Sequence, residues 1–367
     1  MTVWQQIDRL YRQPGAGSGP GPRVVGYVGL DVPFELIVAA GMTPLRLRAE
    51  VQADNTAADP YIESAWHPVL RALLASLLEH RHGRLDHLIL GTTPAMYSNL
   101  YLLLLQLRKM DPRLARLSLA QFDFPRGVND TIAGFDRDSL RVLRQDLELI
   151  AENSIPDYAI RQAIEECNEN RRLLMQMDQL RRGSDVRISG VQAMQLVELS
   201  TRMTPEKHSE LLREVLGEAF DHSGHPGKRV LYSGSETTST RLYEALESNG
   251  LLVVADDQNR GSRSVPALMA RYEDPLEALC RAYRLRTPEG ARTNTASRVE
   301  SLLAQAVDNE VEGVVFWVTS YDQPPGWDFQ AQSKALDAAG IPYALLPADI
   351  AFDAAAVRPH LAKLLHP

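Results

Sequence analysis

The sequence predicts an α/β protein with two mostly parallel sheets, one in each half of the chain, and a helical section between them. Short apolar segments alternate with helix-like segments in residues 23–130, and the same alternation returns in residues 227–367. Residues 131–226 show helical periodicity alone. With 367 residues, the chain is also longer than one typical core requires.

Residues 1–22 are predicted to form an N-terminal helix and a flexible linker. Trp4 and Ile7 fall on one side of a helix that runs to about Arg12. Residues 14–22 consist of proline, glycine, alanine and serine, a composition typical of linkers.

The first α/β domain is predicted at residues 23–130. Proline opens its first helix at Pro33, and Gly41 ends that helix. The predicted elements, in order, are strand 24–28, helix 33–40, strand 43–47, helix 63–80, strand 87–90, helix 96–109 and strand 114–122. Strands that alternate with helices in this way favour a parallel sheet covered on both faces.

A helical connector is predicted at residues 131–226, and a second α/β domain at residues 227–367. In the connector, Leu140, Leu143 and Leu147 follow helical spacing. The elements of the second domain are predicted as strand 229–232, helix 240–248, strand 251–255, strand 311–318, helix 331–339 and strand 342–346. The glycine fingerprint of dinucleotide-binding domains is missing after the first of these strands.

The composition narrows the function classes. A net charge of -8, without a block of lysine and arginine, argues against nucleic-acid binding. No apolar stretch approaches the length of a membrane span, and the first residues lack the pattern of a signal peptide, so we expect a cytoplasmic protein.

The two cysteines, Cys167 and Cys280, have no metal-ligand spacing and are expected to be buried on helices. No role is assigned to the scattered His87, His222 and His225.

Two loops carry polar side chains where predicted strands end. Ser235 lies in a hydroxyl-rich loop that either holds a phosphate or acyl oxygen or only caps the next helix. Asp256 and Asp257 end a strand, where α/β folds bind ligands. This pair either divides protonated and ionised roles, or is structural, with one aspartate bound to Arg260 or Arg263 and the other capping a turn.

Five motifs follow one another along nearly the whole chain. They are V-P-F-E-L-I-V-A-A-G-M-T-P-L-R-L at 32–47, N-E-N-R-R at 168–172, I-S-G at 188–190, D-D-Q-N-R-G-S-R at 256–263, and the stretch 312–342 with Y-D and G-I-P. In this order and spacing, they resemble the 2-hydroxyacyl-CoA dehydratase and benzoyl-CoA reductase subunits of the D-component type.

The resemblance implies both a fold and a chemistry. The fold would be two Rossmann-like (flavodoxin-like) parallel-sheet domains joined by a helical section, in a subunit that pairs with a different, homologous subunit. Three cysteines of each such subunit hold a [4Fe-4S] cluster between the domains. An ATP-hydrolysing activator delivers the electron that makes the thioester substrate a ketyl radical, and dehydration or ring reduction follows.

Carried onto this sequence, the three cysteine positions of the family fall on Pro94, Asn259 and Tyr321. None of these side chains can supply a thiolate to iron. Neither Cys167 nor Cys280 is near these loops in the predicted layout. We therefore expect a family member with a degenerate cluster site that holds no metal and no cofactor itself.

Two functions from different classes follow from these expectations. The chain is either a non-redox companion to a homologous subunit that bears the [4Fe-4S] cluster and is served by the ATP-dependent activator, or an independent enzyme or binder of a small, acyl-CoA-like molecule. In the second case, the cleft would be lined by Ser235, Asp256, Asp257, Asn259 and Asp322. A dehydratase subunit with its own cluster is a third alternative, which the missing thiolates disfavour.

Overall fold

The structure, a computed structural model, confirms the α/β fold with two parallel sheets. It describes residues 2–13, 22–63, 65–125, 130–183, 185–219, 224–285 and 294–365. Most of the predicted linker (14–21) and His222 lie outside the described residues. None of the described helices combines the length and apolar character that a membrane crossing requires.

The first sheet has four parallel strands in the order β2-β1-β3-β4. Strands β1 and β3 are buried at every position, as expected for the centre of a parallel sheet. The elements of this part are α1 (Val3–Arg12), β1 (Val24–Val28), α2 (Phe34–Ala39), β2 (Thr43–Arg46), α3 (Pro68–Leu78), β3 (His87–Gly91), α4 (Met96–Met110) and β4 (Ser118–Phe122).

The second sheet repeats this plan, in the order β6-β5-β7-β8. Its elements are β5 (Lys228–Gly234), α9 (Arg241–Glu247), β6 (Leu251–Asp257), α10 (Pro275–Arg284), α11 (Thr295–Asp308), β7 (Gly313–Trp317), α12 (Gln323–Ala339), β8 (Tyr343–Leu346), α13 (Ala354–Val357) and α14 (Ala362–Leu365). Between the two sheets, the chain forms α5 (Asp130–Ala151), α6 (Asp157–Gln179), α7 (Gly190–Leu199) and α8 (Pro205–Ala219).

Helix α10 packs on the first sheet, although it follows β6 in the chain. Leu276, Leu279 and Tyr283 belong to the same hydrophobic cluster as Tyr27 of β1 and Ile89 of β3. The predicted domain boundaries remain a prediction, and the packing of α10 crosses the one at residue 227.

A buried ion pair joins three helices beside this cluster. Arg171 of α6 donates to Glu35 of α2, and Tyr283 of α10 donates to the other oxygen of the Glu35 carboxylate at 2.8 Å. Glu35 and Arg171 are both buried. Arg171 is thus part of a buried, structural ion pair.

Several element boundaries differ from the predicted ones, including the starts of α3 and α12 and the end of β6. Helix α3 begins at Pro68, because His67 caps it and proline is suited to a first helical position. For the same reason, Pro324 and Pro325 fit the first turn of α12, which begins eight residues before the predicted start. Strand β6 extends through Asp257, so both aspartates belong to the strand.

Each sheet has one switch point, where consecutive crossovers leave in opposite directions. It lies between β1 and β3 in the first sheet and between β5 and β7 in the second. Open parallel sheets bind ligands beyond the carboxyl ends of the strands at such points.

Because three histidines are buried, we expect the protein to lose stability in mild acid. Burial lowers the pKa of His87 and of His208 to about 4, and that of His82 to about 3. Between these values and about 6.5, the unfolded chain binds more protons than the folded chain. The free energy of unfolding therefore falls as the pH drops through this window, by about 1.4 kcal/mol per pH unit for each histidine.

Urea unfolding at several pH values between 7 and 5 measures this slope. His87→Leu is the most informative variant. Neither ring nitrogen of His87 has a hydrogen-bond partner among the described residues, so the substitution removes no hydrogen bond there. We expect a smaller slope for this variant and an unchanged slope for the exposed His360→Leu. Equal slopes for His87→Leu and the parent protein would contradict the assignment.

Candidate functional site

A cavity of about 420 Å³ lies at the carboxyl ends of both sheets. The first half of the chain contributes the segment after β2, the start of α3 and the loop between β3 and α4. The second half contributes the loops after β5, β6 and β7. The lining residues are Ala49, Val51, Gln52, His67, Val69, Pro94, Met96, Tyr97, Gly234, Ser235, Glu236, Thr237, Thr238, Asn259, Arg263, Trp317, Tyr321, Asp322, Gln323, Pro324 and Pro325.

Pro94, Asn259 and Tyr321 all line this one cavity. They follow β3, β6 and β7, three strands that come from both sheets. Their side chains are a pyrrolidine ring, a carboxamide and a phenol, and burial raises the pKa of Tyr321, which keeps the phenol protonated.

The residues present do not fit a [4Fe-4S] cluster, because such clusters are held by thiolates. The cavity lining contains no cysteine among the described residues. Cys167 is buried on α6 and Cys280 on α10, both outside the lining. Within the described ranges, no group of three or more His, Cys, Asp and Glu side chains has the arrangement of a metal site.

Ser235 and Asp322 are neighbours in the cavity wall, where they follow β5 and β7. The hydroxyl of Ser235 accepts the N–H of Thr319 at 3.0 Å. Burial raises the pKa of Asp322, and a hydrogen bond with Ser235 acts in the opposite direction. Asp322 is the residue before α12, yet its carboxyl does not cap the helix. A carboxyl group in this setting is suited to hydrogen bonding with a ligand or to proton transfer.

Asp256 and Asp257 are absent from the described cavity lining, and their placement as cleft residues remains a prediction. The carboxylate of Asp256 accepts the N–H of Ser262 at 2.7 Å, and Asp257 forms an ion pair with Arg263 at 2.6 Å. Burial raises the pKa of Asp256. The pair therefore stabilises the turn that carries Asn259, as the structural alternative predicted.

Gly261 is required in that turn, because a Cβ at this position would overlap the carboxylate of Asp256. We expect Gly261→Ala to lower the free energy of unfolding by about 1–3 kcal/mol, since the turn must move away from Asp256. Gly217, near the end of α8, is the matched control, because a Cβ there meets no other atom within 4 Å.

Gly217→Ala is expected to raise the free energy of unfolding by about 0.5–1 kcal/mol, because alanine is the better helix former. Thermal or urea unfolding of both variants measures the difference. A stable Gly261→Ala protein would contradict the close approach of Asp256.

His67 is a cavity residue that the sequence analysis missed. Its Nδ1 accepts the N–H of Val69 at 3.3 Å, so the proton lies on Nε2, which donates to the carbonyl oxygen of Tyr321 at 3.2 Å. The rings of His67 and Tyr321 meet edge to face, with centroids 5.4 Å apart. His67 thus connects the two halves at the cavity. Its position before Pro68 was the available signal, because a capping residue followed by proline marks a helix start.

Arg260 connects the cavity loops to the rest of the molecule. Its guanidinium donates to Glu198 of α7 at 3.0 Å, to Glu236 at 2.8 Å and to the carbonyl oxygen of Leu47. Burial alone would raise the pKa of Glu198, but Arg260 and the other nearby arginines lower it, so the pair is charged. Arg260 thereby fixes a loop of the second sheet against the end of β2.

Arg46, at the end of β2 in the first sheet, forms hydrogen bonds with the same loop after β6. It donates to the carbonyl oxygen of Asn259 at 2.7 Å and to the hydroxyl of Ser264 at 3.0 Å. The backbone of Asn259 is therefore held by a residue of the other half of the chain.

Comparison with known proteins gives consistent matches. The family described as 2-hydroxyglutaryl-CoA dehydratase, D-component, matches residues 30–359. The (R)-phenyllactyl-CoA dehydratase beta subunit of Clostridium sporogenes is 23% identical over 337 residues, which cover 90% of this chain and 87% of that protein. A benzoyl-CoA reductase subunit from Thauera aromatica is 24% identical over 332 residues, 88% of this chain and 84% of that protein. The beta subunit of (R)-2-hydroxyglutaryl-CoA dehydratase from Acidaminococcus fermentans is 24% identical over 346 residues, 90% and 88% of the two chains.

Proposed function

Because the chain belongs to the 2-hydroxyglutaryl-CoA dehydratase D-component family, we propose that it is a subunit without a [4Fe-4S] cluster of its own. In this proposal, it is the non-redox companion of a homologous, cluster-bearing subunit. Any cluster would be held by the partner, any ATP-dependent activator would act on the partner, and the acyl-CoA substrate would react there.

The donor chemistry of the cavity is the observation that carries this proposal. Pro94, Asn259 and Tyr321 line one cavity, as the cluster ligands of a redox subunit must. Their side chains supply no thiolate, and both cysteines of the chain are buried on helices outside the lining. A cluster-bearing role for this chain would need ligands that these positions cannot provide.

The retention of the surrounding architecture supports a role within a complex. The ion pairs of Arg260 and the contacts of Arg46 hold the loop of Asn259 in place. The relatives are named as subunits of a dehydratase and of a reductase, and thus belong to proteins of several subunits. A companion needs this scaffold for association, even without a metal.

Co-expression with a cysteine-complete homologue of the same family tests the proposal. We expect the two chains to elute as one complex under anaerobic conditions, with the iron on the homologue after the subunits are separated. The homologue expressed alone is the control, and we expect its acyl-CoA dehydratase or reductase activity to depend on this chain. A homologue that is fully active alone and does not associate with this chain would refute the companion role.

The cavity itself favours a second candidate function, binding of a small molecule without electron transfer. Its volume of about 420 Å³ lies within the range of ligand sites, and its wall carries Ser235, Asn259 and Asp322. Calorimetric titration of the isolated chain with small ligands tests this candidate.

A further inference from the structure

The cavity has two chemically different walls. The wall from the first half of the chain is mainly apolar, with Val51, Val69 and Met96 among its residues. The wall from the second half is mainly polar, because the loops after β5, β6 and β7 supply hydroxyl, carboxamide and carboxyl groups. A molecule that fills the cavity must therefore have an apolar body and a polar end.

Two charged side chains of the polar wall, those of Arg263 and Glu236, are already paired. Arg263 alone, of the described lining residues, carries a guanidinium or ammonium group, and it forms an ion pair with Asp257. The carboxylate of Glu236 is paired with Arg260. An anionic ligand would thus meet no unpaired cation here, and it would lie close to the carboxyl group of Asp322.

Asp322 and Asn259 present complementary hydrogen-bonding groups. The carboxyl of Asp322 is a strong acceptor when ionised and gains a donor when protonated, and the carboxamide of Asn259 has both kinds of group. A primary amide or an alcohol can satisfy such a pair without bringing a charge into the cavity.

We infer that this cavity binds a small uncharged molecule with an apolar body and a polar end that carries both a hydrogen-bond donor and an acceptor, as a primary carboxamide does. The apolar body lies on the wall of Val69 and Met96, and the polar end bonds to Asp322 and Asn259. This inference rests on the proposed absence of a cluster, because a cluster would occupy the same space.

Isothermal titration of the full chain with 3-phenylpropionamide and with 3-phenylpropionate tests the inference. We expect saturable binding of the amide and no measurable binding of the carboxylate at the same concentrations. Asp322→Leu is expected to weaken amide binding about tenfold or more, and Asp322→Asn to weaken it less, because asparagine keeps hydrogen-bonding groups. The matched control Asp337→Asn, exposed on the same helix α12, should bind as the parent does.

Val69→Asp tests the apolar wall. Val69 is half-buried in the first turn of α3, where an acidic residue is compatible with the helix, and it packs against a hydrophobic cluster, so thermal unfolding checks that the variant folds. We expect it to lose amide binding while its thermal unfolding stays cooperative.

Equal binding of amide and carboxylate, no binding of the amide, or full binding by Asp322→Leu would each overturn the inference. Iron analysis of the same sample separates this outcome from the proposed function. A stoichiometric cluster refutes the proposed function, whereas an iron-free protein that ignores the amide refutes only the ligand class.

Discussion

Replacing Arg260 by methionine is expected to lower the free energy of unfolding by about 3–5 kcal/mol. The guanidinium of Arg260 bonds to two carboxylates, those of Glu198 and Glu236, and to the carbonyl oxygen of Leu47. Methionine fills most of the same volume but leaves Glu198 buried next to a neutral side chain. Urea unfolding at neutral pH, followed by circular dichroism, measures the loss.

Arg281→Met is the matched control for this substitution. Arg281 is exposed on α10 and pairs with Glu277 one turn away, so its loss should cost less than about 1 kcal/mol. Adding Glu198→Gln to the Arg260→Met protein should recover part of the stability, because the buried Glu198 carboxylate would otherwise keep only longer contacts, such as the ion pair with Arg48 at 3.6 Å. An Arg260→Met protein as stable as the Arg281→Met protein would show that the ion pairs of Arg260 contribute little.

Placing cysteines at the three cavity positions is expected to create a cluster site. If Pro94, Asn259 and Tyr321 stand where the family has its ligands, the triple variant Pro94→Cys, Asn259→Cys and Tyr321→Cys supplies three thiolates to one cavity. After anaerobic reconstitution with iron and sulfide, we expect a stoichiometric [4Fe-4S] cluster with visible absorption.

Each single-cysteine variant, treated identically, is the control and should hold only adventitious iron. A cooperatively folded triple variant without additional iron would mean that the three positions do not form a cluster site.

The sequence predicted most strands correctly because their signal is local. The apolar run of β1 and the turn residues around it define that strand, and the structure places it at Val24–Val28 as expected. No such local signal tells which of the two sheets α10 packs on. Leu276 and Leu279 would form an apolar face against either sheet, and only the three-dimensional arrangement selects the first.

Part of the site was predictable, but from a family resemblance and not from a local pattern. Pro94, Asn259 and Tyr321 came from a resemblance of ordered motifs, and no property of proline or asparagine alone would have singled them out. The two carboxylate partners of Arg260 lie 62 and 24 positions away in the chain, and His67 and Tyr321 are 254 positions apart. Contacts between such distant residues leave no periodic pattern in a sequence.

Iron and sulfide analysis of the unmodified chain, purified alone and reconstituted anaerobically, decides whether this chain holds a [4Fe-4S] cluster of its own. We expect no stoichiometric iron and no visible absorption of a cluster, in a sample prepared beside the triple-cysteine variant. A stoichiometric [4Fe-4S] cluster on the unmodified chain would contradict this expectation.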